Sequence, residues 1–580
     1  MIRHASAILA LTLACAACTP ALKPSPSRGG SGGDGVAPVA AAAETHPHPG
    51  LPGHAQRAWR SADARADGSQ TRPLRPLEGE GGKPIAGEEV FYHVFFRSFR
   101  DSNGDRIGDL DGLAAGLDYL DDLGITSILL TPLQPSPYYH NYFPTDFETI
   151  EPVYGTMDDY RDFIRAAHAR GLKVYLDMEI QYVGEGHPWW TRSLGKPDAP
   201  FADFLIWRDK THTEAEPFLT QAKWEGYDGR QIGIAMVNLN SPRVRDYFER
   251  VLLQWADPHG DGSGRDGADG FRIDHMMDDL DNKHVATHLF ATFWTPIIDK
   301  LKARRPGFRI LAEQSDWGFG EDWLQRGNAD LVFAFPLRGA IDKLDKAQLV
   351  KALRETAQHT PPGKGQIVFI ENHDTDRFMS LVGDDPAKAR AGAAISLLVQ
   401  GEPLLYYGQE LGMRGITRKG TMSDAAHIPL REAFRWRADL DAPGSATWYR
   451  GDQPWWTDRY NRSYDGVSVE EQDAKSDSLL NWYRHLLAMR KARPELRHGT
   501  QQILCNDASA VLCIEREAGG ERTLLLANLG TTPAKAALGE EASAHAWIDL
   551  TATDGGSGAP IDPAGIVLAP MEVRALGTAP

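Results

Sequence analysis

Gly270-Phe271-Arg272-Ile273-Asp274 is a short apolar run that ends on a carboxylate, and Ile310-Leu311-Ala312-Glu313 repeats the arrangement further along. A third acid, Asp374, follows in Phe369-Ile370-Glu371-Asn372-His373-Asp374. Ending a buried strand on a charge costs free energy unless something uses that charge, so three such ends in succession outline one site. Working outward, runs of the same kind lie at Val90 to Phe95, Ile125 to Leu130, Lys173 to Asp177, Leu331 to Phe335, Ile367 to Ile370 and Pro403 to Tyr407. With 270–274 and 310–313 they alternate with amphipathic stretches. That is the pattern of an α/β fold whose buried parallel strands close into a (β/α)8 TIM barrel.

The intervening stretches read as helices. Leu113, Leu117 and Leu120 share one face, and Gly124 stands where a helix stops. Thr156 and Asp159 form a cap ahead of Tyr160, Phe163, Ile164 and Ala167, with Gly171 closing the run. Residues 178–268, between the third and fourth strands, are far more than a barrel loop needs. An inserted domain is expected there, over the strand ends where barrels build their active face. A second excursion runs from Met413 to about Ser476. A last helix turns Leu479, Trp482, Tyr483, Leu486 and Met489 inward and stops before Pro494. Beyond it, Val511-Leu512-Cys513-Ile514 and Thr523-Leu524-Leu525-Leu526 predict a C-terminal all-β, sandwich-like domain over 499–580, which leaves 84–498 to the barrel.

The net charge of −17 repels phosphate backbones and anionic membrane surfaces, which argues against nucleic acid and for a neutral partner such as a sugar polymer. Fifteen tryptophans suit sugar stacking, although filling the core is the commoner use of each. Residues 1–18 read as a secretory signal: Arg3 and His4, an apolar stretch from Ala7 to Ala14, then Ala16-Ala17-Cys18, too short to span a bilayer. A cysteine after two alanines is similar to a bacterial lipoprotein processing site, with Cys15 where leucine is usual, so lipidation of Cys18 is expected. The chain is then secreted, as a periplasmic, outer-membrane or cell-surface lipoprotein that meets a membrane only through its lipid. Residues 19–83, rich in Gly, Pro, Ala and Ser, form a disordered linker. With Cys18 blocked, any disulfide in the mature chain joins Cys505 to Cys513; two free thiols are the alternative.

Retaining glycosidases hold two carboxyl groups about 5 to 5.5 Å apart, one ionised to attack the anomeric carbon and one protonated to release the leaving oxygen. Adjacent barrel strands supply such spacing. Arg272 lies two residues before Asp274, on the same strand face, and keeps it ionised as a nucleophile must be. Glu313, in a more apolar setting, favours the protonated form of a general acid/base.

These motifs resemble those of the α-amylase superfamily, glycoside hydrolase family 13, in order and in strand placement. The resemblance covers about Val90 to Pro494 and, more loosely, the β domain. It implies retaining chemistry on α-1,4 or α-1,6 glucans, with Asp274 as nucleophile, Glu313 as acid/base and Asp374 binding sugar hydroxyls in the distorted ring. Arg272 and His373 match the family's helpers around these acids, Asn372 belongs to the same substrate-binding stretch, and Tyr142, in His140-Asn141-Tyr142, is similar to the ring that stacks under the scissile sugar. Pro152-Val153-Tyr154-Gly155-Thr156 and Gly401-Glu402-Pro403-Leu404-Leu405-Tyr406-Tyr407-Gly408-Gln409-Glu410 also look like family stretches.

Departures set limits on the resemblance. Gln181 and Tyr182 stand where the family usually has a calcium-binding asparagine and a sugar-touching histidine. His275-Met276-Met277-Asp278 differs from the lysine-histidine pair after the nucleophile of typical α-amylases, and Phe143 replaces an aspartate that clamps terminal glucose in many relatives. Asn238, in Met236-Val237-Asn238-Leu239-Asn240, matches neither charged variant of the specificity segment.

Asp101, Asn103, Asp105, the Ile107 carbonyl and Asp109 give alternating oxygen ligands, a spacing suited to a structural calcium ion. Arg106 and Gly112 rule out an EF-hand, and the rival reading is a solvated acidic turn. No organic cofactor is expected. The activity expected is retaining hydrolysis of α-glucosidic bonds in maltodextrins and starch-derived oligosaccharides. The alternatives are a transglycosylase or α-glucosidase on the same scaffold, and a non-catalytic glucan-binding lipoprotein.

Overall fold

The computed structural model describes residues 87–419, 423–451, 459–504, 509–536, 538, 545–552 and 560–578. The expected signal, Cys18, the linker and Cys505 lie outside the described residues; Cys513 is disulfide-bonded. Among the described residues no helix is long and apolar enough to cross a membrane.

Strands β1 (Phe91–Val94), β2 (Ser127–Leu130), β3 (Lys173–Met178), β4 (Gly270–Met276), β5 (Arg309–Gln314), β6 (Leu331–Phe333), β7 (Gly365–Val368) and β8 (Glu402–Tyr406) correspond to the eight apolar runs. They pair in parallel in chain order, and β8 returns to β1 to close the barrel. Because side chains alternate along a strand, every second residue points inward, and the interior fills in storeys. At the bottom, Arg309 bridges Glu402 at 2.6 Å and Glu89 at 3.0 Å, and Lys173 reaches Glu89 at 2.7 Å. Two residues up, Phe91, Leu129, Tyr175, Leu311, Leu331, Ile367 and Leu404 form a dry layer. Gly270 belongs to this packing: a Cβ on it would lie 2.2 Å from the Tyr175 ring and 2.5 Å from the Arg309 carbonyl oxygen. Another step up, the same period delivers Asp177, Arg272 and Glu313 to the top.

The helices follow their local signals. Met157–Ala169 starts with a complete capping box between Thr156 and Asp159. The first helical stretch is split into Leu110–Ala114 and Leu117–Leu123, and Gly124 caps the second in the left-handed conformation, φ 97°. Residues 178–268 divide in a way the sequence reading missed. Their first part carries a small antiparallel sheet of Tyr182–Gly184, Gln231–Met236 and Lys223–Glu225. Their last part, helix Pro242–Ala256, is the barrel's own crossover helix, so the 178–268 boundary overstates the insertion. A parallel β3-to-β4 connection needs such a helix, and its Trp255 packs edge-on against Tyr160 of the preceding barrel helix, with ring centroids 5.2 Å apart.

After helix Leu479–Ala492 comes an antiparallel sheet, β9 (Thr500–Ile503), β10 (Val511–Ala518), β11 (Glu521–Asn528), β12 (Trp547–Asp549) and β13 (Val573–Thr578), in the order β9-β10-β11-β13-β12. Its alternation sends Leu512, Ile514 and Leu525 into the main core, and Val511, Cys513, Leu524 and Leu526 into a separate small one around Trp547.

Candidate active site

β4 and β5 run in register from Gly270 opposite Arg309 to Ile273 opposite Ala312, so Asp274 and Glu313 emerge side by side. The register then shifts by a bulge before Met276, and His275 takes a left-handed backbone with φ 46°. Bulges at barrel rims re-aim side chains. Here the displaced His275 N–H donates to Glu313 Oε2 at 3.3 Å.

Arg272, 2% exposed, ties the acids together. Its Nη1 donates to Asp274 Oδ1 at 2.5 Å and to both oxygens of Asp177 at 2.7 Å, while Nη2 lies 2.7 Å from Glu313 Oε2. A single guanidinium therefore spans the two carboxyl groups expected to do chemistry. Burial pushes the Glu313 carboxyl up to about 8; Arg272 opposes the shift, and the charges of Asp274 and Asp374 add to it. Burial and the neighbouring like charges therefore favour its protonated form.

On the opposite wall, Tyr142 donates its hydroxyl to Asp177 Oδ2 at 2.7 Å and lies 2.9 Å from His373 Nε2, its ring stacked on the His373 ring. His373 Nε2 stands 2.9 Å from Asp374 Oδ2. Although burial works against it, Asp374 is held well below the usual carboxylate range by His373, His427 and Arg431. Burial lowers His373 itself, so the permanent cation Arg431, 2.8 Å from Asp374 Oδ1, is the partner that keeps this acid ionised. Asn372 is turned to the backbone, its Oδ1 accepting from the Asp374 N–H at 3.0 Å, so its side-chain oxygen shapes the turn.

Several residues of the site were missed by the sequence reading. Arg431 comes from the long excursion after β8, with no local pattern to connect it to Asp374. Asp177 and Glu179 had a legible signal: they continue the inward period of β3 beyond Tyr175. Glu179, 3% exposed, accepts from the Gln181 and Tyr182 N–H groups at 2.9 and 3.2 Å, and the pairing of Met178 with Ile273 sets it next to Asp274. The two residues at the departing positions make structural contacts: Gln181 Nε2 donates to the Asp274 carbonyl, and the Tyr182 hydroxyl donates to Asp281 Oδ1 at 2.6 Å. Phe143 joins Tyr138, Tyr182 and Phe218 in an aromatic wall.

In the loop after β1, the expected oxygen ligands fold inward on their own backbone. Asp101 accepts from the N–H groups of Asn103, Gly104 and Arg106, Asn103 from Asp105, Asp105 from Ile107, and Asp109 from Ser102 and Gly112. Among the described residues no three His, Cys, Asp or Glu side chains converge as a metal cluster. The donor set is nonetheless all hard oxygen, and Asp105 and Asp109 are raised, first by burial and further by Asp101, a repulsion that a cation would relieve.

The model of the α-amylase catalytic domain matches residues 93–499. Alpha-amylase 3 of Dictyoglomus thermophilum is 30% identical over 459 residues, which are 77% of this chain and 86% of that protein. A 4-alpha-glucanotransferase of Thermotoga neapolitana is 29% identical, over 72% of this chain and 90% of its own length. Among solved structures, the α-amylase from H. orenii is 26% identical, with a TM-score of 0.67 over 85% of this chain and 100% of that one.

Proposed function

The chain belongs to the α-amylase family, and from that premise we propose that it hydrolyses α-glucosidic bonds in maltodextrins and starch-derived oligosaccharides with retention of configuration. The observation that carries the reading is the single guanidinium of Arg272 between Asp274 and Glu313, with Glu313 kept protonated. Sharing one guanidinium holds the two groups close together, as a direct double displacement requires.

In this mechanism the Asp274 carboxylate attacks C1 while the Glu313 carboxyl gives its proton to the glycosidic oxygen, so the C1–O bond breaks and a glycosyl ester of Asp274 forms. Glu313, now ionised, takes a proton from water; the water oxygen bonds to C1, Asp274 leaves as carboxylate, and Glu313 is protonated again. Arg272 stabilises the charge on Asp274 before attack and on its departure. Asp374, held ionised by Arg431, accepts hydrogen bonds from sugar hydroxyls, and the Tyr142 ring supports the apolar face of the sugar.

The likeness to a glucanotransferase supports a second reading, in which a sugar hydroxyl intercepts the same ester instead of water. Incubation with maltoheptaose, pullulan, isomaltose and trehalose, followed by anomeric NMR, tests both. Freshly released α-anomer with shorter products supports hydrolysis, longer oligosaccharides support transfer, and freshly released β-anomer overturns the mechanism. Calcium in the loop of Asp101, Asn103, Asp105, Ile107 and Asp109 is part of the proposal as a structural ion and supplies no catalytic step. Lipid anchoring through Cys18 at the cell envelope is likewise proposed, on the N-terminal sequence alone.

A further inference from the structure

The site contains more carboxyl groups than the two that double displacement uses. Asp177, Asp274 and Glu313 all touch Arg272, and Glu179, 3% exposed, adds a fourth acid that pairs with no cation among the described residues. β3 carries it there by strand period, two residues above Asp177. One oxygen of Glu179 is fixed: Oε1 accepts from two successive backbone N–H groups, of Gln181 and Tyr182. The β3–β4 register, with Asp177 opposite Arg272 and Met178 opposite Ile273, sets Glu179 next to Asp274, and the two carboxyl groups interact. A buried carboxyl beside a second, part-buried one disfavours two charges, so one of the pair carries the proton between them. Asp274 has Arg272 at 2.5 Å to hold its charge, and among the described residues Glu179 has no such partner. The proton therefore belongs to Glu179, which is the donor.

We propose that Glu179 is a positioning residue that gives an O–H hydrogen bond to the nucleophile Asp274 and thereby hastens breakdown of the glycosyl-enzyme. The inference rests on the retaining reading above. A donor aimed at a carboxylate binds the anion more strongly than the ester it becomes. It stabilises free Asp274 before attack, which holds the first step back, and it stabilises the charge returning to Asp274 as the ester breaks, which speeds the second. No proton leaves Glu179 in either step; it remains the donor throughout, and acid/base work stays with Glu313. The intermediate should consequently be short-lived.

The test uses α-glucosyl fluoride, whose leaving group needs little acid assistance, with the full-length enzyme and the Glu179→Leu and Glu179→Gln variants. Glutamine keeps an oxygen for the two backbone N–H groups and an N–H for Asp274; leucine removes the donor. For Glu179→Leu, kcat should fall about tenfold or more, the scale of a lost hydrogen bond to a charged group, while kcat/KM stays level or rises, because it reports the first step. Mass spectrometry of quenched Glu179→Leu should find the glycosyl ester on Asp274 accumulating, and Glu179→Gln should resemble the wild type in both measurements. Adduct yield per folded protein corrects for any loss of folded material. A leucine variant that loses kcat/KM without accumulating ester, or a glutamine variant that behaves like leucine, overturns the proposal. If no ester on Asp274 can be trapped in any of the three proteins, including with a slow fluorosugar, the retaining reading fails first.

Discussion

Arg272 Nη2 stands 2.7 Å from Glu313 Oε2, a permanent cation against the one carboxyl that must hold a proton. Burial decides the outcome. Arg272 already serves Asp177 and Asp274, and Glu313 sits among those charges with its carboxyl pushed up to about 8. The sign follows directly: Glu313 carries its proton below that value and loses it above, so general-acid assistance disappears as pH rises through about 8. We predict an alkaline limb of kcat/KM on maltooligosaccharides with its midpoint near 8. A profile flat to well above that value would mean that another group donates the proton.

Leaving-group dependence separates the two central acids. Glu313→Gln removes the proton donor, and its rate on maltotriose should fall by about 10²- to 10⁴-fold, the usual worth of general acid catalysis. On α-glucosyl fluoride the first step should be far less affected. Asp274→Asn removes the nucleophile, and both substrates should fail together. Parallel losses in the two variants would contradict the assignment of roles.

Removing Arg272 tests the cluster as a structure. Breaking a buried ion pair on one side leaves an uncompensated charge and costs about 3 to 5 kcal/mol. Arg272→Met should therefore lower Tm markedly as well as activity, and should destabilise more at pH 7 than at pH 5, where its acid partners can take up protons. Calorimetry at the two pH values reads the difference; equal losses would show that the acids do not depend on Arg272 for their charge.

The barrel and its acids were legible because both depend on short local patterns. Each strand is a continuous apolar run, since a parallel strand is covered on both faces. The inward period of two then carried Arg272 and Asp274 to the same wall from a five-residue string. What was not legible joins distant parts of the chain. Arg431 reaches Asp374 from another loop, Asp281 receives Tyr182, and no local pattern announces the bulge that aims His275 at Glu313. The crossover helix Pro242–Ala256 is masked by the excess length around it, although a parallel connection must contain such a helix. Glu179 was legible by period, but an acid just past the end of a barrel strand has no meaning until its neighbour is known.

Calcium can be read through stability rather than rate. The loop after β1 would offer its oxygen atoms to an ion and lies apart from the acids in the chain, so calcium bound there would act on the native state alone. Adding a chelator to protein shown to contain calcium should lower Tm by several degrees, while the initial rate at 25 °C changes little. Demonstrated removal of the metal with no change in Tm would discard the site.

The last prediction concerns a buried acid away from the chemistry. Glu410 follows β8 and accepts the hydroxyls of Tyr92 and Tyr119 on one oxygen, at 2.8 and 2.7 Å. Burial raises its carboxyl from 4.5 to about 7, and the two phenol hydrogen bonds only partly oppose the shift. In the unfolded chain it ionises near 4.5, so between the two values the folded protein holds a proton that the unfolded chain has released. Its contribution to stability is fully present below about 4.5 and is lost as pH rises through about 7, a change of roughly 3 kcal/mol by linkage. Glu410→Gln keeps an oxygen for the phenols and cannot ionise. Other buried acids titrate over the same range, Glu432 among them at about 7, so the informative quantity is the difference between variant and wild type. Relative to wild type, Glu410→Gln should gain stability as pH rises from 5 to 8 in denaturant titrations. A difference that stays constant across that range would place the Glu410 proton elsewhere.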